Sequence, residues 1–133
     1  MLQDTQVATR LPAQDLERAR AFYRDKLGLE PSEERPGGLL YRCAGGQFVL
    51  FRSAGASPGT FTQMAFEVGD LKATVAELRG RGVVFEDVAL PGLTTVDGIT
   101  KVADNYPSKG TGEWGAWFRD SEGNMLGVGQ PIT

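Results

Sequence analysis

The chain has 133 residues, with 14 Lys and Arg against 17 Asp and Glu and a net charge of -3. That length suffices for one domain with its own core, and without a basic block a nucleic-acid partner is not expected. No apolar run approaches the roughly 20 residues that cross a bilayer, and MLQDTQVATR lacks the apolar stretch of a secretory signal, so no membrane partner and a cytoplasmic location are expected.

In chain order, Gln6–Leu11 reads as a strand and DLERARAFYRDKLG as a helix. Leu16, Ala19, Tyr23 and Leu27 fall on one helical face, Asp15 stands where an N-cap belongs, and Gly28 stands where the helix stops. Leu29–Glu34, Leu39–Ala44 and Gln47–Arg52 read as strands, with Gly45-Gly46 turning the hairpin between the last two. Cys43 is the single cysteine. Without a histidine to activate it, it reads as a small buried apolar residue, and a lone thiol fits a reducing compartment.

SAGASPG then links to a second set of elements. Phe61–Val68 reads as a strand running into a helix over DLKATVAELRGRG. Leu71, Val75 and Leu78 form the apolar stripe of that helix, Asp70 its cap, and Gly80 or Gly82 its end. Val83–Ala89, Glu113–Arg119 and Met125–Gly129 are the further strands. The long segment Ala89–Gly112 reads as half strand, around Gly98–Val102, and half loop. RDSEGNM is a turn in which Gly123-Asn124 tolerates positive φ.

The order repeats, with Asp15 and Asp70 standing 55 positions apart. One strand–helix–three-strand unit buries only one face of its sheet. Two such units predict one α+β domain: two βαβββ modules forming one curved mixed sheet around a cleft. The division is a first module of about 1–53, a linker of 54–59 and a second module of about 60–133.

DLERARAFYRDKLGLE resembles the first-helix signature of the vicinal oxygen chelate superfamily, which includes glyoxalase I, extradiol dioxygenases and bleomycin-binding proteins. MAFEVGDLKATVAELRGRGV is similar to its second-module opening. WFRDSEGNMLGVGQ resembles its closing strand pair, usually aromatic–x–Asp–Pro–x–Gly–Asn. The resemblance covers nearly the whole chain and implies the fold more firmly than any one activity. In the superfamily's metal enzymes a His on the first strand of each module and a Glu on the last strand hold the ion. The matching positions here are Ala8 and Gln63, again 55 apart, with Val49 and Gly127 as the closing pair. None is a His, Asp or Glu. No metal and no other cofactor are expected.

Drug-sequestering members of the superfamily bind aromatic ligands in the same cleft without a metal. The expected ligand-binding residues are Gln63, Phe51, Trp114, Trp117, Phe118 and Tyr106, aromatics for stacking and an amide for orientation. Alternation puts Trp114 and Phe118 on one face of their strand and Trp117 on the other, leaving open which faces the cleft. Phe22, Tyr23, Phe48, Phe66 and Phe85 read as core. A second reading is a glyoxalase-like lyase or isomerase acting on a small carbonyl compound. Its base would be a carboxylate, with Glu67 and Glu113 as candidates, the first sharing a strand face with Gln63. A third is a structural or sensing module. A homodimer is expected from the resemblance, and the residues leave open whether any reaction is catalysed.

Overall fold

The computed structural model describes residues 1–103 and 112–132. Two aspartates start its two helices. The Asp15 carboxylate accepts from Arg18 N at 3.0 Å and opens α1 (Leu16–Leu27); Asp70 does the same for Ala73 N at 3.0 Å and opens α2 (Leu71–Gly80). Gly28 ends α1 with φ +69°, the left-handed conformation that suits a residue without Cβ.

The strands are β1 (Thr9–Ala13), β2 (Glu33–Arg35), β3 (Gly38–Cys43), β4 (Gly46–Arg52), β5 (Met64–Glu67), β6 (Ala89–Leu90), β7 (Leu93–Thr94), β8 (Thr100–Val102), β9 (Glu113–Arg119) and β10 (Met125–Pro131). They form two four-stranded sheets, ordered β1-β4-β3-β2 and β5-β10-β9-β8. In each the first strand lies parallel to the last of its module and the other pairs are antiparallel. The sheets therefore repeat one βαβββ topology. The β6–β7 hairpin is an insertion in the second module.

Several elements differ from expectation. The first strand starts later and contains Pro12. It is an edge strand, so the missing N–H costs no ladder bond. Leu29–Glu34 contributes a strand only from Glu33, because Pro31 interrupts pairing before it. Val83–Ala89 supplies no module strand; against β9 it makes a bridge, Phe85 to Phe118, and a bond, Glu86 N to Trp117 O at 2.7 Å, and its last residue, Ala89, joins the β6–β7 hairpin. β8 already covers the rest of the β9 edge through Thr100, Lys101 and Val102. Cys43 is exposed rather than buried, because β3 ends there. The hairpin turn falls on Ala44-Gly45, one residue before the expected pair.

One apolar core runs through both modules. Leu11, Tyr23, Tyr41, Phe48 and Leu50 come from the first, and Leu71, Val75, Phe118, Leu126 and Val128 from the second. Phe48 meets Phe66 across the junction edge-to-face at 6.3 Å. Tyr41 stacks on Phe48 at 4.9 Å. Burial pushes the Tyr41 phenol up to about 12, keeping it protonated.

The modules are also clamped by a polar turn between β9 and β10. Asp120 Oδ1 accepts from Glu122 N (2.8 Å) and Asn124 N (2.9 Å); Oδ2 accepts from Tyr23 OH (2.6 Å) and Asn124 Nδ2 (2.9 Å). Asn124 Nδ2 also donates to Pro12 O at 2.9 Å, so the β1 edge beside the proline is held by a side chain of the other module. Glu122 accepts from Asp15 N (3.0 Å), from Arg18 Nε and Nη2 (2.9 Å each) and from Ser121 Oγ (2.7 Å). Burial pushes the Glu122 carboxyl up, but bonds from Arg18, Ser121 and Asp15 N outweigh it and hold the value at about 2. Burial first, and then Asp120, hold the Tyr23 phenol well above its ordinary value.

Asn124 is fully buried. Asn124→Ala leaves Asp120 Oδ2, Pro12 O and Gln63 Nε2 each short of a partner. It should cost about 2–4 kcal/mol in urea unfolding; a loss below about 0.5 kcal/mol would show that the clamp contributes little. The folded Glu122 value lies below its ordinary 4.5. Its contribution is therefore present above about pH 4.5 and is lost as pH falls toward 2, on the order of 2 kcal/mol after allowing for the half-exposed Arg18. Glu122→Gln should flatten the stability profile between those two pH values, measured by denaturant titration across that range.

Candidate functional site

Alternation along β5, β9 and β10 sends Met64, Phe66, Ala116, Phe118, Leu126 and Val128 toward α2 and the core. The opposite face carries Ala65, Glu67, Glu113, Gly115, Trp117, Gly127 and Gly129. With Thr62 they line a concavity of about 380 Å³. Its floor is bare sheet, because register puts Ala65 beside Gly127, and Glu67 and Gly115 on either side of Gly129. Trp117 lies across this floor. A Cβ on Gly127 would sit 3.4 Å from Trp117 Nε1, and one on Gly115 3.5 Å from Trp117 Cη2. A Cβ on Gly129 would sit 2.8 Å from Glu113 Oε2, so that carboxylate closes one end of the floor. The site is a flat indole surface on glycine with two acidic groups at its rim.

The expected site residues are not gathered in one place. Trp117 lies on the concave face. Phe118 is fully buried in the core, edge-to-face with Phe85 at 5.6 Å. Trp114 lies on the helix-facing side, half exposed. Phe51 lies in the first module, beneath the Arg10 guanidinium at 5.8 Å. Tyr106 lies outside the described residues. The Gln63 amide is already partnered: Oε1 accepts from Ser57 Oγ (2.8 Å) and Met125 N (3.0 Å), and Nε2 donates to Asn124 Oδ1 (3.0 Å). Glu67 is exposed.

The first module has its own concavity of about 410 Å³, lined by Arg10, Glu33, Arg35, Leu40 and Val49 among others. It shares no lining residue with the second. Gly115 and Gly129 are absent from the residues expected for the site, and Gly127 appears there only as a position without a metal ligand. The signal of the glycine floor is the alternation Gly127-x-Gly129, which keeps one strand face empty.

The residues do not fit the metal centre of the resembled enzymes. Their four positions hold Ala8, Val49, Gln63 and Gly127, offering no imidazole or carboxylate. The one polar side chain among them is consumed by the clamp, and an indole edge lies against Gly127. Among the described residues no three His, Cys, Asp or Glu side chains converge.

Residues 5–128 match the sequence model of the Glyoxalase/Bleomycin resistance protein/Dioxygenase superfamily. The chain belongs to this superfamily. Solved structures of similar fold include a glyoxalase/bleomycin resistance protein/dioxygenase from Alicyclobacillus acidocaldarius, 18% identical, with TM-score 0.69 over 98% of this chain and 93% of that one. A lactoylglutathione lyase from Agrobacterium tumefaciens is 25% identical, with TM-score 0.60 over 96% and 93%. TnmS3, an antibiotic binding protein from Streptomyces sp. CB03234, is 23% identical, with TM-score 0.64 over 96% and 97%. No curated protein matches the chain by sequence. A lyase and an antibiotic binding protein thus share this fold, and the fold alone does not decide between such roles.

The glycine floor has a direct test. Gly127→Ala adds a methyl at 3.4 Å from the indole, and at the same distance from Ala65 and Thr62, so it tightens the packing around Trp117 and alters the indole's surroundings. In a Trp114→Phe background its emission maximum should move, at a stability cost of about 1 kcal/mol. Gly45→Ala, where a Cβ meets nothing within 4 Å, should leave the emission unchanged. An unmoved spectrum in Gly127→Ala would show that the indole does not lie on this floor.

Proposed function

We propose that this superfamily member binds a small planar molecule in the concavity of its second module, without a family-type metal ion, as a sequestering protein does. The observation that carries the reading is the Trp117 indole lying on a floor of Gly115, Gly127 and Gly129. An aromatic wall on bare backbone leaves a slot for a flat ligand, and stacking contributes about 0.5–1.5 kcal/mol beyond the area buried. Glu67 and Glu113 at the rim favour a ligand carrying a positive charge or hydrogen-bond donors. A structural neighbour described as an antibiotic binding protein supports the same reading.

A second reading is a lyase or isomerase that uses one of the two carboxylates as its base. It is favoured by their common position around Gly129 and by the lactoylglutathione lyase neighbour. The exposure of Glu67 weighs against it. We further propose that two copies associate, because each module leaves its own concavity open. The exposed Cys43 thiol fits a reducing, cytoplasmic setting.

A library of planar cationic and neutral aromatics separates these readings. Binding predicts saturable quenching of Trp117 in the Trp114→Phe protein, with the compound recovered unchanged, and at least about tenfold weaker binding in Trp117→Ala. Turnover that disappears in Glu67→Gln or Glu113→Gln would favour the enzyme instead. A stoichiometric transition metal in the purified protein, found by elemental analysis, would overturn the metal-free assignment. A monomer throughout a sedimentation-equilibrium concentration series would remove the dimer.

A further inference from the structure

The opposite side of β9 carries a second groove, of about 530 Å³, within the size range of ligand sites. It has three walls. α2 supplies Lys72, Val75, Ala76 and Arg79, spaced i, i+3, i+4 and i+7 and so on one helical face. The sheet supplies Trp114 and Lys101, which register sets directly opposite each other on β9 and β8. The β7–β8 turn supplies Val96, Asp97 and Ile99.

The charges in the groove are not equivalent. Arg79 is committed: it pairs with Asp97 Oδ2 at 3.3 Å, donates to Asp97 O at 2.8 Å and covers the Phe85 ring at 5.5 Å. It straps the turn to the helix, where Asp97 holds a positive φ of 54°. Lys72 and Lys101 make no ion pair among the described residues. Asp70 lines the adjoining hollow with Trp114, Lys72 and Gln130, but its carboxylate caps α2 through Ala73 N; Gln130 Oε1 accepts from Leu71 N. The groove therefore holds two unpaired ammonium groups beside a half-exposed indole, in a chain whose net charge is -3.

From this juxtaposition we infer that the groove between α2, Trp114 and the β7–β8 turn is a second binding site, selective for a planar aromatic carboxylate. Its ring stacks on Trp114, and its carboxylate lies between Lys72 and Lys101. Val75, Val96 and Ile99 cover the ring, and the Arg79–Asp97 strap holds the far wall in place. The concave site offers the same ligand no cationic side chain among its lining residues, so the two faces of β9 take ligands of opposite charge.

The probe is 2-naphthoate, with 2-naphthamide as its neutral counterpart. The two indole N–H signals of the protein are assigned by Trp114→Phe and Trp117→Phe and followed by NMR, with calorimetry for affinity. The inference expects the Trp114 signal to move saturably with 2-naphthoate while the Trp117 signal stays. It expects at least about fivefold weaker binding for 2-naphthamide, for Lys72→Gln/Lys101→Gln, and on raising salt from about 50 to about 500 mM. Both lysines are exposed, so the double variant is expected to fold; its far-ultraviolet circular dichroism checks this. A Trp114 signal unmoved up to about 5 mM, movement of Trp117 alone, or equal binding by the folded double variant overturns it. None of these outcomes bears on cationic ligands quenching Trp117, so this site and the concave one fail independently.

Discussion

Everything on the second module's face is held in position by one buried turn. Asp120 accepts four hydrogen bonds: two close its own turn, one comes from Tyr23 of α1, and one from Asn124. Asn124 reaches on to Pro12 of β1 and to Gln63 ahead of β5. A carboxylate and an amide thereby join the first strand and helix of one module to the last two strands of the other. Buried polar groups of this kind are costly when any partner is missing, so the turn ties the modules into one body. The core alone leaves more freedom, since large apolar side chains tolerate repacking of similar volume.

The clamp also explains what happened at the superfamily's metal position. By the resemblance, Gln63 is assigned the position of the second His of the resembled enzymes. In this chain its amide braces Ser57 of the linker against Asn124 and Met125. Its role here is structural, and Gly127 nearby leaves room for an indole. The same topology carries a different surface in the first module. Val49 and Leu40 fill the sheet there and Arg10 lies over Phe51, so that concavity has side chains where the second has bare backbone.

The features legible in the sequence were those set by local chemistry and by repetition. Both Asp caps, the Gly28 stop and the register of the two modules follow from residue types at fixed spacing. Residues whose role depends on the other module were not legible. Glu122 reads as an ordinary turn residue until α1 brings Arg18 and the Asp15 amide to it. Cys43 reads as apolar until the hairpin turn exposes it. Val83–Ala89 and a segment around Gly98–Val102 both read as strands of the second module, and spacing alone does not choose between them. Edge competition on β9 decides: three ladder pairs with β8 occupy the edge where Val83–Ala89 would have joined. The division of the aromatics between two faces was legible as alternation. Which face is concave depends on the side that α2 covers, and that is a tertiary fact.

Trp114 and Trp117 show how much one strand can separate. They are three residues apart, an odd spacing, so β9 presents one to α2 and the other to the concave face. Glu67 and Glu113 line the hollow around Trp117; Lys72, Lys101 and the Arg79–Asp97 pair line the groove around Trp114. Stacking on an indole discriminates little between flat molecules, since the attraction is mostly area and dispersion. The discrimination must come from charge. A carboxylate brought to the concave site finds no cationic side chain among its lining residues, whereas on the far side the same group finds two ammonium groups that make no ion pair among the described residues. On the two proposals made above, indoles of equal chemistry serve ligands of opposite charge through the parity of the strand that carries them.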